Sequence, residues 1–114
     1  NDVPGRKVVE LLKPSEEDYF VLKPKHSGFY STSLDLLLVH LGSKNLIITG
    51  IATNICVLFT ANDAYMRDYN IVIPSDCVVE EDPKESKNVL KLMKKVLKAD
   101  VKNSKKIDLK KLLR

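Results

Sequence analysis

The chain has 114 residues, 44% of them hydrophobic and 30% charged, the composition of a soluble globular protein with one core. No apolar run approaches the length of a bilayer crossing. Two cysteines without Cys-x-x-Cys spacing argue for a reducing, cytoplasmic location, not a disulfide framework. The net charge of +4 conceals two unlike parts. Residues 84–114 carry twelve Lys or Arg against three acidic side chains, a net +9, whereas residues 1–83 carry seven against twelve, a net −5. The basic part has neither interleaved aromatic residues nor a nucleic-acid motif, so it is read as a solvated helix face plus a charged tail, and nucleic acid is not an expected partner. Because the chain starts Asn1-Asp2 without an initiator methionine, it is expected to be processed, trimmed or part of a longer protein.

Asp18 to Lys23 is a short β-type run ending at Pro24. Ser31, Thr32 or Ser33 can cap a helix through Leu34, Leu37, Leu38 and Leu41, with Gly42 suited to end it. Asn45 to Gly50 reads as a buried apolar strand, followed by a helix from about Asn54 to Asp68. Ile55, Leu58, Ala61 and Tyr65 are expected on that helix's inner stripe. Asn70 to Ile73 is a third strand, closed by Pro74. Asp82 then caps a helix with Pro83 in its first position and Glu85 at capping-box spacing. Val89, Leu92, Met93, Val96 and Leu97 line one face of it. Strand and helix alternation implies an α/β fold with a Rossmann-like parallel sheet, covered by helices on both faces, within residues 1–100. Residues 101–114 are a basic tail or a short docking helix.

The chemistry concentrates where the second strand meets its helix. Cys56 falls in the first turn after Thr49-Gly50-Ile51-Ala52-Thr53-Asn54-Ile55, and a helix N-terminus favours the thiolate, the nucleophilic form. Cys56 is therefore either a nucleophile or a small buried apolar residue, and position alone does not choose. In such folds ligands sit beyond the carboxyl ends of the strands. Lys23 ends the first strand and Cys56 follows the second, so a cation and a thiol are expected on one rim.

Three segments, Lys23-Pro24-Lys25-His26-Ser27-Gly28-Phe29-Tyr30-Ser31-Thr32-Ser33-Leu34, Ile48 to Val57 and Thr60-Ala61-Asn62-Asp63-Ala64, resemble the isochorismatase-like cysteine hydrolases, the superfamily that includes nicotinamidases. The resemblance implies a hydrolase for a small amide or related carbonyl–nitrogen substrate, working through an Asp, a Lys and a Cys without a cofactor. It makes Cys56 the nucleophile and Lys23 the catalytic lysine, with Lys25 the competing candidate. It implies a cis peptide between Ile51 and Ala52, and an oxyanion hole from the backbone N–H groups of Ala52 and Cys56. Phe29 and Tyr30 become candidate pocket walls. Phe20 and Phe59 are expected in the core, and Tyr19 at the surface. Asp63 and Asp76 are expected to brace the fold, Cys77 to be structural, His26 to sit in a turn or pocket wall, and His40 on a helix surface.

The departures are as informative. The family's aspartate precedes its lysine segment by more than the 22 residues found here, and Asp2 is not set in an apolar strand. The first strands of the complete fold are therefore expected to be missing, the isolated chain to be nearly inactive, and no metal site is assigned. Family members associate, so a homo-oligomer is expected. A catalytically incomplete interaction module of the same fold is the alternative.

Overall fold

Residues 3–113 are described by the computed structural model; Asp2 and Arg114 lie outside the described residues. Four short strands form the centre: β1 (Asn45–Ile47), β2 (Gly50–Ile51), β3 (Asn70–Val72) and β4 (Val78–Val79). β1 runs parallel to β3 with Asn45 opposite Asn70 and Ile47 opposite Val72, and β2 runs parallel to β4 with Gly50 opposite Val78. Backbone bonds from Ile48 N–H to Val72 O (2.9 Å) and from Gly50 N–H to Cys77 O (3.0 Å) extend the first and the second pair, respectively. The α/β alternation thus yields a parallel arrangement, and β4 is an element too short to leave a periodic signal.

Five α-helices accompany the strands among the described residues: α1 (Arg6–Leu11), α2 (Leu34–Leu41), α3 (Leu58–Met66), α4 (Pro83–Val96) and α5 (Leu109–Leu112). α2 ends at Gly42, whose φ of 67° is left-handed and therefore favours glycine, while Ser43 N–H closes the cap on Leu38 O. α4 begins as expected, with the Asp82 side chain accepting from Lys84 N–H and Pro83 in the first position. Ala61 and Ala64 of α3, Ile71 and Ile73 around β3, and Val89, Leu90 and Met93 of α4 belong to one buried cluster.

Three expectations are corrected. Residues 18–23 form no strand, and Phe20 is 72% exposed rather than in the core. The reason is pairing: a strand's backbone groups need a neighbour, and this run has none among the described residues. In the helix after β2 the inward residues are Val57, Ala61 and Ala64, whereas Ile55 and Tyr65 are exposed. Val57 N–H bonds back five residues to Ala52 O (3.1 Å), so the first turn is wider than an α-turn and shifts the phase of the stripe. In α4, Leu90 is buried while Leu92 and Val96 are half exposed.

Beyond α4 the chain returns to the sheet. Asp100 N–H bonds to Ile71 O (2.9 Å), Ile73 N–H to Asp100 O (2.7 Å) and Ser75 N–H to Lys102 O (3.2 Å), so residues 100–102 run beside β3. Asp76 accepts hydrogen bonds from the Ser104 hydroxyl (2.6 Å) and backbone N–H (2.7 Å). That hydroxyl first, and then the N–H, hold its carboxyl below the usual range. α5 reaches β1, where the Asn45 side-chain amide donates to Leu112 O.

Candidate active site

The turn carrying Cys56 is anchored from behind. β2 leads into a cis peptide between Ile51 and Ala52, then into the wide turn Thr53–Val57. Thr53 is fully buried and its Oγ1 is hydrogen-bonded to Ser86 Oγ of α4 at 2.9 Å, while Val57 lies in the core. With Thr53 and Val57 held inward, Cys56 is left partly accessible, and it forms no disulfide.

A second segment, residues 23–30, approaches from the other side and is pinned to α3. The Ser27 hydroxyl donates to Asp63 Oδ2 and accepts from Phe29 N–H (3.1 Å). Gly28 N–H donates to Thr60 Oγ1 (3.0 Å), and a Cβ at Gly28 would lie 3.3 Å from Leu34 Cδ2, so the close approach suits glycine. The Arg67 guanidinium lies 4.7 Å from the Phe29 ring centroid and pairs with Asp35 at 3.0 Å. Asp63 holds the Ser27 and Arg67 side chains and Asp76 the Ser104 backbone and hydroxyl, as expected of bracing residues.

These anchors put Lys23 Nζ at 3.5 Å from Cys56 Sγ, while the same ammonium also reaches Lys25 O at 3.4 Å. Lys25 itself is exposed and makes no hydrogen bond to the sulfur. His26 Nδ1 lies 3.8 Å from Sγ, and its ring stands edge-on to Phe59 with centroids 5.8 Å apart. Among the described residues Cys56 therefore has a lysine and a histidine as hydrogen-bonding neighbours and no carboxylate. His26 is the residue that sequence reasoning undervalued. Its signal was its place three residues after Lys23, but the contact to Cys56 spans 30 positions.

His26, Tyr30, Phe59 and Met66 line a cavity of about 500 Å³, together with Asn62 and Asp63. Tyr30 thus faces a cavity. Phe29 does not: it is 5% exposed and belongs to the core, with Arg67 and Tyr69 beside its ring. Phe59, expected in the core, is 43% exposed and lines the cavity, again because the wide turn rotates α3. Tyr19 and His40 are at the surface.

At the end of β4, Glu80 is buried and its carboxylate oxygens have no hydrogen-bond partner among the described residues. Burial raises its pKa, and the charges of Glu85 and Asp82 add to that. No group of three or more His, Cys, Asp or Glu able to hold a metal occurs among the described residues. No helix among them is long and apolar enough to cross a membrane.

Comparison with known proteins gives a consistent picture. Residues 1–102 match the sequence profile of the isochorismatase domain. The chain is 48% identical over 97 residues to the uncharacterised isochorismatase family protein YaaI of Bacillus subtilis, an alignment covering 85% of this chain and 54% of that protein. Among solved structures, N-carbamoylsarcosine amidase from Thermoplasma acidophilum is similar with a TM-score of 0.75 and 38% identity, over 83% of this chain and 53% of that one. The nicotinamidase SaPncA from Staphylococcus aureus gives 0.76 and 33%, over 86% and 62%. The chain spans 54% of the length of YaaI, about half.

Proposed function

Since the chain belongs to the isochorismatase family, we propose that it carries the nucleophile half of an amide-hydrolysing site, with Cys56 attacking the carbonyl of a small amide or related carbonyl–nitrogen compound. The observation that supports this most is the 3.5 Å approach of the Lys23 ammonium to the Cys56 sulfur. A positive charge at that distance complements the thiolate, which is the attacking species. The turn that holds the sulfur also carries the proposed oxyanion donors, the backbone N–H groups of Ala52 and Cys56, which would stabilise charge as it develops on the carbonyl oxygen. The acyl group then rests on sulfur as a thioester, and water releases it. Tyr30 forms part of the wall beside the site. No cofactor is needed for this chemistry, and a reducing cytoplasm would keep the thiol free.

Two relatives act, by name, on nicotinamide and N-carbamoylsarcosine, so these are the first amides to try. Ammonia release by the full-length protein, and by its Cys56→Ala variant, tests the reading. Turnover abolished by the substitution is expected; turnover that survives it would remove Cys56 from the mechanism.

Association of the chain with further copies of itself is a second reading. It is supported by exposed apolar side chains, among them Val9, Leu11, Leu12 and Leu22 at 71–92%. Light scattering should then give a mass above 12.9 kDa; a clean monomer across concentrations would argue against it.

A further inference from the structure

A cavity of about 1030 Å³ opens at the starts of β1 and β3, where Asn45 and Asn70 line it. Cys56 follows the opposite end of β2, and of the residues around the cavity beside the sulfur only Met66 also borders this one. Five lysines line the wall: Lys44 ahead of β1, Lys98 after α4, Lys102 beside β3, Lys106 in the turn 104–106 and Lys111 in α5. They come from separate places in the chain, so folding rather than a local run of charge gathers them. Like charges brought together repel unless something neutralises them. Lys102 has Asp100 at 3.7 Å, and Lys98 Nζ donates to Lys95 O at 3.1 Å. Lys44, Lys106 and Lys111 pair with no carboxylate among the described residues. Asp108 faces the backbone instead, accepting from Lys111 N–H at 3.2 Å to cap α5. Asp68, the third acid on the wall, makes no ion pair with a described residue.

Residues 84–114 hold no aromatic side chain of their own, but the fold brings two to their lysines. Tyr65 of α3 and Tyr69 just after it line the same wall. Tyr69 has its ring beside Phe29, with centroids 6.3 Å apart, whereas Tyr65 is 42% exposed and offers an open face. Ammonium groups around a groove suit phosphate oxygens, which lysine meets as a point charge. An open aromatic ring suits the face of a base. We propose that this cavity binds a nucleoside polyphosphate, its phosphates against Lys44, Lys106 and Lys111 and its base against Tyr65. The volume is that of a small-molecule site, for which roughly 300–1,000 Å³ is usual. A nucleic-acid strand fits less well, because strands are held on several successive rings and one open ring is present on this wall. The site owes nothing to the reading of Cys56 as a nucleophile, so each stands or falls without the other.

Calorimetric titration of the full-length protein at low salt tests this with ATP, inorganic triphosphate, adenosine and poly(U). ATP should bind about fivefold or more tightly than triphosphate, the smallest gain expected from stacking one base, and adenosine should not bind measurably. Replacing two wall cations together, Lys106→Ala with Lys111→Ala, should weaken ATP binding about tenfold. Lys91→Ala with Lys94→Ala removes the same charge from α4 outside the cavity and should change it less than about twofold. Tyr65→Leu should bring ATP down to the affinity of triphosphate and leave triphosphate itself unchanged. Equal losses from the two lysine pairs would reduce the effect to general charge attraction and overturn the site. ATP and triphosphate bound equally well, or ATP binding indifferent to Tyr65→Leu, would overturn the nucleoside assignment. Poly(U) held more tightly than ATP, and weakened by the same wall pair, would give the groove to nucleic acid instead. No binding of ATP at all would overturn the inference outright.

Discussion

Residues 50–57 and residues 3–25 bring the two partners of the Lys23–Cys56 contact together, and they are built in opposite ways. The first run is tied to β4, to α4 through Thr53 and Ser86, and to the core through Val57. In the second, only Val21 is even half-buried, and α1 has no buried residue at all. What holds Lys23 is the pinned stretch that follows it, where Ser27, Gly28 and Phe29 are fastened to α3. The lesson is that the sulfur is placed by the core, whereas the cation is placed by a few polar bonds at the edge of it.

The sharpest way to break that comparison is to delete mass from each side. Val57 is 2% exposed, so Val57→Ala should lose about 1–3 kcal/mol of stability in urea unfolding. Leu22 is 92% exposed, and Leu22→Ala should stay within about 0.5 kcal/mol. Equal losses would mean that the two runs are not differently held. Next, Lys23→Met should reduce amide turnover by about 10²–10³-fold, the range for losing one electrostatic contact to a reacting centre. Lys25→Met, at a side chain with no bond to sulfur, should cost far less; kinetic constants in the opposite order would exchange their roles. A smaller effect is expected at the cap of α4: Asp82→Ala removes the bond to Lys84 N–H and should cost about 1 kcal/mol, read by the same urea titration.

The finest distinction is the sign of two pH dependences. Glu80 binds its proton more tightly in the folded chain, so its contribution falls as pH rises from the usual glutamate range through the raised folded value. Glu80→Gln should therefore raise the melting temperature at pH 7 and leave it unchanged at about pH 4; the same gain at both would refute the burial argument. Asp76 behaves oppositely. Its hold on Ser104 is present above the usual aspartate range and is lost as pH falls through the lowered folded value. Protection of the backbone amides in residues 101–113, relative to their intrinsic exchange at the same pH, should consequently fall in acid, and Asp76→Asn should bring that loss to neutral pH.

Local signals were enough for much of this. The Asp82-Pro83 start and the Val89–Met93–Leu97 stripe lie within one helix, so their physics is contained in neighbouring residues. Which flank of the stripe is buried was not: Leu90, rather than Leu92 or Val96, meets the core because α4 also packs against the Cys56 turn. β4 could not be read from Val78-Val79, since two residues become a strand only opposite Gly50-Ile51. The exposed run 18–23 shows the converse, a β-type composition without a partner.

Taken alone, the order of residues determined the parallel α/β alternation, the helix caps, and a cysteine at the opening of the helix after β2, because each depends on contacts a few positions apart. Tertiary structure alone decided the neighbours of that cysteine. Lys23 and His26 are 33 and 30 residues away, and the bonds of Ser27 and Gly28 to α3 are what close the distance. Such long-range closure depends on packing and shape, which no local pattern encodes.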